Sequence, residues 1–357
     1  MALARAPYME WAKSRPHPRV DLAGSNLLAC ALEDLPGARE ALDLSGESPD
    51  GYPPLLEAIA ARYGVEPRNV ATGGGCSGAN YLACAALLEE GDEALIERPV
   101  YDPLIAAVRM LGARPRFFER RHEEGFAIDV RAVEKALTPS TRLVIVSNPH
   151  NPSGVLASPE QIDGLARLAE RAGVLVLADE VYRDAVAGPG LPPAATTSAV
   201  FVSSNSLTKA YGLSSLRCGW TLASPEITER IRRARDVVDV SGAIPAERLS
   251  VLAFGHLDRL AERARRILEP NRRLFRELLA RRPELECAPF RAPIAFPRFR
   301  DGRDASFFAR RLFERHGVAV VPGSFFDRPS HFRVSLGGFP PAVAAGLEAL
   351  DRCLDET

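Results

Sequence analysis

The sequence predicts an α/β protein, with a three-layer large domain around a mostly parallel sheet and a smaller α+β domain beside it. Three observations lead there. Through the middle of the chain, short apolar runs alternate with helical patterns, the order expected of strands and helices layered on one sheet. Several runs are apolar at every position, as strands buried on both faces of a parallel sheet are. After Trp220 the texture changes to long stretches rich in arginine, glutamate and leucine at helical spacing.

Taken in order, the predicted strands are Asn69–Thr72, Ala94–Glu97, Arg114–Phe118, Leu143–Val146, Val174–Ala178 and Ala199–Ser203. Helices are predicted between them at Asn80–Leu88, Pro103–Leu111, Asp129–Ala136 and Pro159–Ala172. The last follows Ser158, a good N-cap, and puts proline at the first helical position. Long helices are expected from Pro225 to about Leu268. From Asn271 the chain reads as helix, short Pro/Phe-rich strands (Ala288–Phe299), a helix (Ala305–His316) and a strand near His331–Leu336.

At 357 residues the chain exceeds the usual limit of one domain. Hydrophobic content of 46% and charged content of 25% are those of an ordinary globular protein. A formal net charge of −1 gives no field to attract nucleic acid or anionic lipid in bulk. The six cysteines form no CxxC pair and none has metal-ligand spacing with a histidine. No metal is expected, and the thiols read as those of a reduced, cytoplasmic protein. The N-terminus lacks the apolar core of a signal peptide, and no run approaches the roughly 18 apolar residues of a membrane span.

Two stretches carry chemistry. Gly73, Gly75 and Gly78 fit GxGxxG between a predicted strand and a predicted helix, the setting of a dinucleotide fingerprint. Such a loop at a helix N-terminus cradles phosphate from any source. The second stretch is SNSLTKAYGLSSLRCGW, from Ser204 to Trp220. Its Lys209 amine can form a Schiff base with an aldehyde cofactor. Ser206, three residues before, and Arg217, eight after, can hold that cofactor's phosphate, since a guanidinium donates two parallel hydrogen bonds.

With NPHNPSG from Asn148 and the tetrad Asp179-Glu180-Val181-Tyr182, this stretch resembles the class I/II aminotransferases, pyridoxal-phosphate (PLP) enzymes of the aspartate aminotransferase fold. The resemblance runs from about Gly51 to Arg333. It implies a large PLP domain over residues 45–255, and a small domain built from residues 1–44 and 256–357. A dinucleotide enzyme has no need of the lysine, asparagine and aspartate motifs, so the glycine loop is read as part of a PLP site.

The resemblance also implies roles. Lys209 carries the cofactor and then moves the substrate's α-proton. Asp179, at the end of an apolar strand, pairs with the pyridine nitrogen. Tyr182 and Asn151 hydrogen-bond the 3′-oxygen, while Tyr101 stacks on the ring. The phosphate cup combines Ser206 and Arg217 with Gly75, Cys76 and Ser77, with Cys76 acting through its backbone. Arg333 clamps the substrate α-carboxylate, and Asn151 also contacts substrate. Asn148 shapes its loop.

The implied activity is transfer of an amino group between an amino acid and a 2-oxo acid, in a homodimer with shared active sites. Tyr8, Met9 and Trp11, with no local core around them, are expected to help form that interface. The tyrosine that relatives carry just before the Gly51 turn, and send to the partner's phosphate, has no counterpart in Leu44–Pro49. Tyr52 stands one residue past that glycine. No second arginine for a side-chain carboxylate stands out. Decarboxylation, β-elimination or cyclisation on the same fold remains an alternative, as does, more remotely, a dinucleotide-binding protein or a non-catalytic PLP sensor.

Overall fold

In a computed structural model, which describes residues 5–186 and 191–356, the chain opens with α1 (Pro7–Ser14) and β1 (Val20–Asp21). α2 (Pro53–Tyr63) leads into an alternating series. It comprises β2 (Val70–Gly74), α3 (Gly75–Leu87), β3 (Glu93–Arg98), α4 (Asp102–Met110), β4 (Arg114–Glu119) and α5 (Val130–Ala136). It continues through β5 (Thr141–Ser147), α6 (Pro159–Ala172), β6 (Leu175–Asp179), β7 (Phe201–Ser206), α7 (Leu207–Tyr211) and β8 (Cys218–Leu222).

The strands from β2 to β8 form one seven-stranded sheet in the order β2-β8-β7-β6-β5-β3-β4. Every neighbouring pair is parallel except the two that involve β8, which is antiparallel to β2 and β7. The α/β, mostly parallel expectation holds. All six predicted strands are present, but β8 was missed, because Cys218-Gly-Trp-Thr-Leu reads as the tail of the lysine motif rather than as a strand.

The apolar runs are explained by the layers. On β5, Leu143 and Ile145 pack with Leu82 of α3, Leu104 of α4 and Ile231 from beyond the sheet. Val144 and Val146 face the other way, toward Leu165 and Leu168 of α6. Both faces are buried, so both sets must be apolar. α6 begins where expected: Ser158 Oγ accepts from Gln161 N at 3.3 Å, and Gln161 Oε1 accepts from Ser158 N at 3.1 Å. α3 starts at Gly75 instead of Asn80, since glycines hide its first turn from a propensity reading.

Beyond the sheet come α8 (Pro225–Val238), α9 (Ile244–Phe254) and α10 (Leu257–Arg281). α10 runs straight through Pro270, where the sequence reading broke it. Its buried face continues unbroken, with Ile267, Leu268, Asn271, Phe275 and Leu278 all inside. Short strands β9 (Leu285–Glu286), β10 (Ile294–Ala295) and β11 (Arg298–Phe299) follow, then α11 (Ala305–His316). β12 (Val318–Ala319), β13 (Val321–Pro322), β14 (Phe332–Ser335) and α12 (Pro340–Asp355) complete the chain. β1 pairs in parallel with β12, Val20 opposite Val318, and Leu22 packs with Phe275, Phe332 and Leu350. Among the described residues no helix is long and apolar enough to cross a membrane.

Candidate active site

β5, β6 and β7 run parallel and end side by side at Ser147, Asp179 and Ser206. A cavity of about 210 Å³ opens there, at the carboxyl edge where α/β sheets bind ligands. Lys209, Tyr182, Asn151 and Tyr101 line it, as do Cys76, Ser77 and Arg217. Residues spread from 76 to 217 thus meet in one place.

Lys209 lies in the first turns of α7, which Ser206 begins by accepting from Thr208 N at 3.3 Å. Its Nζ donates to Ser25 Oγ at 2.6 Å and to Asn26 Oδ1 at 2.8 Å. Burial, reinforced by the Arg333 guanidinium, brings the amine down to about 7, against the opposing pull of Asp179. Such an amine is substantially neutral near physiological pH, as a nucleophile or base must be.

Asp179 is buried and makes no ion pair among the described residues. Its Oδ2 accepts from Asn80 Nδ2 at 2.9 Å, and its Oδ1 from Val181 N at 3.1 Å and Cys76 Sγ at 3.4 Å. Burial raises this carboxyl above its ordinary range despite the three donors. A buried anion facing a cavity without a cation of its own fits a protonated ring nitrogen. Tyr182 Oη is likewise buried without a hydrogen-bond partner of ordinary geometry, which fits a ring oxygen placed beside it.

The glycine loop and Arg217 form one unit. Gly75 N donates to Arg217 O at 2.6 Å, and Arg217 Nη2 donates to Gly74 O at 2.9 Å. Gly75 has φ +75°, and a Cβ there would stand 2.4 Å from Arg217 Nη2. Only glycine allows the guanidinium to lie over the start of α3, where free N–H groups favour an anion. Ser77 is exposed in that first turn, whereas the Cys76 thiol is buried and pushed well up by burial. The cradle suits a phosphate, so the residues present fit the cofactor that the resemblance implies.

Arg333, on β14, is fully buried. Its Nη1 donates to Asn151 Oδ1 at 2.9 Å, and its Nη2 to Tyr8 Oη at 2.5 Å and Ala23 O at 3.2 Å. Its Nε has no partner. Asn148 Oδ1 accepts from Ala157 N at 2.9 Å, within its own loop.

The expectation for α1 is corrected here. Tyr8 is buried, with its ring centroid 5.9 Å from Tyr101 and 5.7 Å from Phe326; Trp11 lies 5.1 Å from Phe325. Aromatics from distant parts of the chain cover Tyr8, so it is no exposed group, while Met9 and Trp11 are half-buried. Met9 receives the Tyr101 hydroxyl on its sulfur at 3.2 Å.

Sequence reasoning missed several polar residues at the site. Ser147 Oγ donates to the buried Glu97 Oε1 at 2.5 Å and accepts from Asn151 N at 3.0 Å. Glu97 pairs in turn with Arg120 at 2.7 Å, both fully buried. Ser204 Oγ donates to Asn80 Oδ1 at 2.5 Å. Asn80 had a visible signal, as a lone amide among the apolar residues of α3. Ser25, Asn26 and Tyr8 had none, for only the fold brings them near Lys209 and Arg333.

The family profile described as aminotransferase class I and II matches residues 31–350. A capreomycidine synthase of Streptomyces vinaceus is 33% identical, over 98% of this chain and 93% of that protein. An aspartate aminotransferase of Geobacillus stearothermophilus is 26% identical, over 85% of this chain and 82% of that protein. Among solved structures, a PLP-dependent aminotransferase from Streptococcus suis is 26% identical. It superposes with a TM-score of 0.93 over 100% of this chain and 99% of that one.

Proposed function

The chain belongs to the class I and II aminotransferases and is a pyridoxal-phosphate-dependent transferase; we propose which of its residues perform the transfer of an amino group between an amino acid and a 2-oxo acid. The observation that carries the assignment is the meeting of Lys209, Asp179, Tyr182, Asn151 and Arg217 around one cavity, with Arg333 bonded to Asn151 at its edge.

When bound, the cofactor supplies an electron sink for the bonds to the substrate's α-carbon. Lys209 holds it and, once released, takes the α-proton on Nζ. Asp179 would keep the ring nitrogen protonated. Tyr182 and Asn151 would donate to the 3′-oxygen, and Tyr101 would stack on the ring. Ser206, Arg217 and the N–H groups of Cys76 and Ser77 would hold the phosphate, while Gly75, its own N–H taken by Arg217 O, lets the guanidinium lie over them. Arg333 receives the α-carboxylate, fixing which bond at Cα faces Lys209. The large domain is assigned to residues 45–255, and the small domain to residues 1–44 and 256–357.

Lys209→Ala tests the assignment. The purified variant is expected to lose the visible absorbance of bound cofactor and all turnover while keeping its fold by circular dichroism. Full activity in that variant would overturn the role.

A second chemistry on the same fold has one observation in its favour: the relative at 33% identity is named a synthase. The lysine, aspartate and phosphate cup serve decarboxylation, β-elimination and cyclisation as well. A panel of amino donors with 2-oxoglutarate or pyruvate, followed for oxo-acid formation and gas release, separates these outcomes.

We further propose a homodimer, in the cytoplasm as the cysteine usage suggests. The dimer's support is a set of exposed apolar side chains. Leu42, Leu44, Val237, Val238 and Val240 are all exposed; Asp50–Arg233 ties the chain after Leu44 to α8, and Asp43–Arg248 ties the residue before Leu44 to the adjoining α9. Sedimentation at micromolar concentration tests it, and a fully active monomer would refute it.

A further inference from the structure

Both acceptors of the Lys209 amine come from the short segment Gly24-Ser25-Asn26, more than 180 positions away in the chain. Ser25 Oγ is half-buried at 2.6 Å, and Asn26 Oδ1 lies at 2.8 Å on the solvent side. The segment is tightly held. Asp21 Oδ1 accepts from Ala23 N at 2.8 Å and Gly24 N at 3.2 Å, turning the chain after β1. Leu28 N donates to Gly337 O at 2.6 Å, and Cys30 N to Gly212 O at 3.0 Å. Gly212 ends α7, the helix that bears Lys209. It has φ +74°, and a Cβ there would lie 2.4 Å from Leu28 O. The two acceptors are therefore fixed to the helix whose amine they receive.

We propose that Ser25 and Asn26 are catalytic residues: they form the station that receives the Lys209 amine when it is free, and they stabilise the ammonium produced when that amine takes the substrate's α-proton. The proposal rests on the assignment of Lys209 above. In the step, the Cα–H bond of the amino acid breaks and an N–H bond forms at the neutral Nζ. The electron pair stays with the substrate. The ammonium has three N–H groups. Two find Ser25 Oγ and Asn26 Oδ1, and the third is left to pass the proton on.

The other groups around the amine do not do this work. Arg333 and Arg217 disfavour an ammonium, while Asp179 favours it from further off. The Cys76 thiol is buried and held neutral, and Tyr182 presents its ring at 6.0 Å from Nζ. Ser25 and Asn26 are thus the acceptors in hydrogen-bond contact with the amine among the described residues.

The test uses Ser25→Ala, Asn26→Ala, their combination and Asn26→Asp. In the apoprotein, Lys209 is titrated by pH-dependent acetylation with acetic anhydride, read at that residue by mass spectrometry. The double variant's midpoint is expected to fall by about one pH unit, and that of Asn26→Asp to rise. In the loaded enzyme, α-deuterated L-alanine is expected to show a larger isotope effect and a roughly tenfold slower half-reaction in the double variant. Cofactor affinity is expected to stay unchanged. An unchanged midpoint in the double variant overturns the proposal. If that variant does not fold, an unchanged midpoint in Asn26→Asp does the same. A wild-type enzyme that titrates as expected but transfers no amino group would fault the transferase reading and leave the titration to decide this one.

Discussion

Asn80 Nδ2 donates to Asp179 Oδ2 at 2.9 Å, and it does so with its own carbonyl oxygen occupied by the Ser204 hydroxyl. The aspartate at the floor of the site is thus oriented by neutral donors only. Its charge is left for a cationic partner in the cavity.

Replacing Asp179 with asparagine removes that charge and keeps the shape. A hydrogen bond to a charged group contributes about 1.5–3 kcal/mol. Turnover is expected to drop by more than about tenfold, since ~1.4 kcal/mol already gives that factor. Cofactor affinity, measured by equilibrium dialysis, is expected to change less. A smaller fall in turnover would separate Asp179 from the ring nitrogen.

Capture of cofactor by the apoprotein is expected to quicken as pH rises, with its midpoint near 7. The direction follows from burial, which disfavours the Lys209 ammonium and frees the amine above about 7. Stopped-flow mixing with pyridoxal phosphate across a pH series reads it. A midpoint near 10, the range of an ordinary lysine, would contradict the environment described for Nζ.

Gly75→Ala combines a left-handed backbone position with a clash against the Arg217 guanidinium. The backbone term alone costs roughly 1–2 kcal/mol. Because the guanidinium must move off the phosphate cradle, cofactor is expected to bind at least about tenfold more weakly. Fluorescence titration of the apoprotein measures it. Unaltered affinity would mean that Arg217 does not hold the phosphate.

Tyr8→Phe deletes one acceptor of Arg333 Nη2 and leaves Ala23 O in place. KM for the amino acid is expected to rise about threefold to tenfold, with kcat and cofactor affinity nearly unchanged. Equal losses in cofactor binding would show that Tyr8 serves the whole site and not the carboxylate clamp.

The sheet was legible because its strands, buried on both faces, must be apolar throughout. The motifs that meet at the cavity were legible because each is local: Ser206, Lys209 and Arg217 share one stretch, and Asp179 and Tyr182 another. What stayed hidden was carried by long-range packing. Leu143 looks like a strand residue in isolation, but nothing near Tyr8 in sequence announces Phe325 or Arg333. The same holds for Glu97 and Arg120, whose pairing under the Asn151 loop joins two adjacent strand ends through Ser147. Ser25 and Asn26 are short polar residues in a turn, indistinguishable by type from dozens of others until α7 is packed against them.

The clamp closes between the two ends of the chain, for Arg333 meets a tyrosine 325 positions earlier. The lysine, the aspartate and the phosphate cradle all precede it in order of synthesis. A ribosome adding about 5–20 residues each second takes roughly 6 to 23 seconds to travel from Arg217 to Arg333. During that interval a growing chain holds every group proposed to engage the cofactor but not the one proposed to orient an amino acid. On that assignment, the groups that react with amines are synthesised before the one that chooses among them.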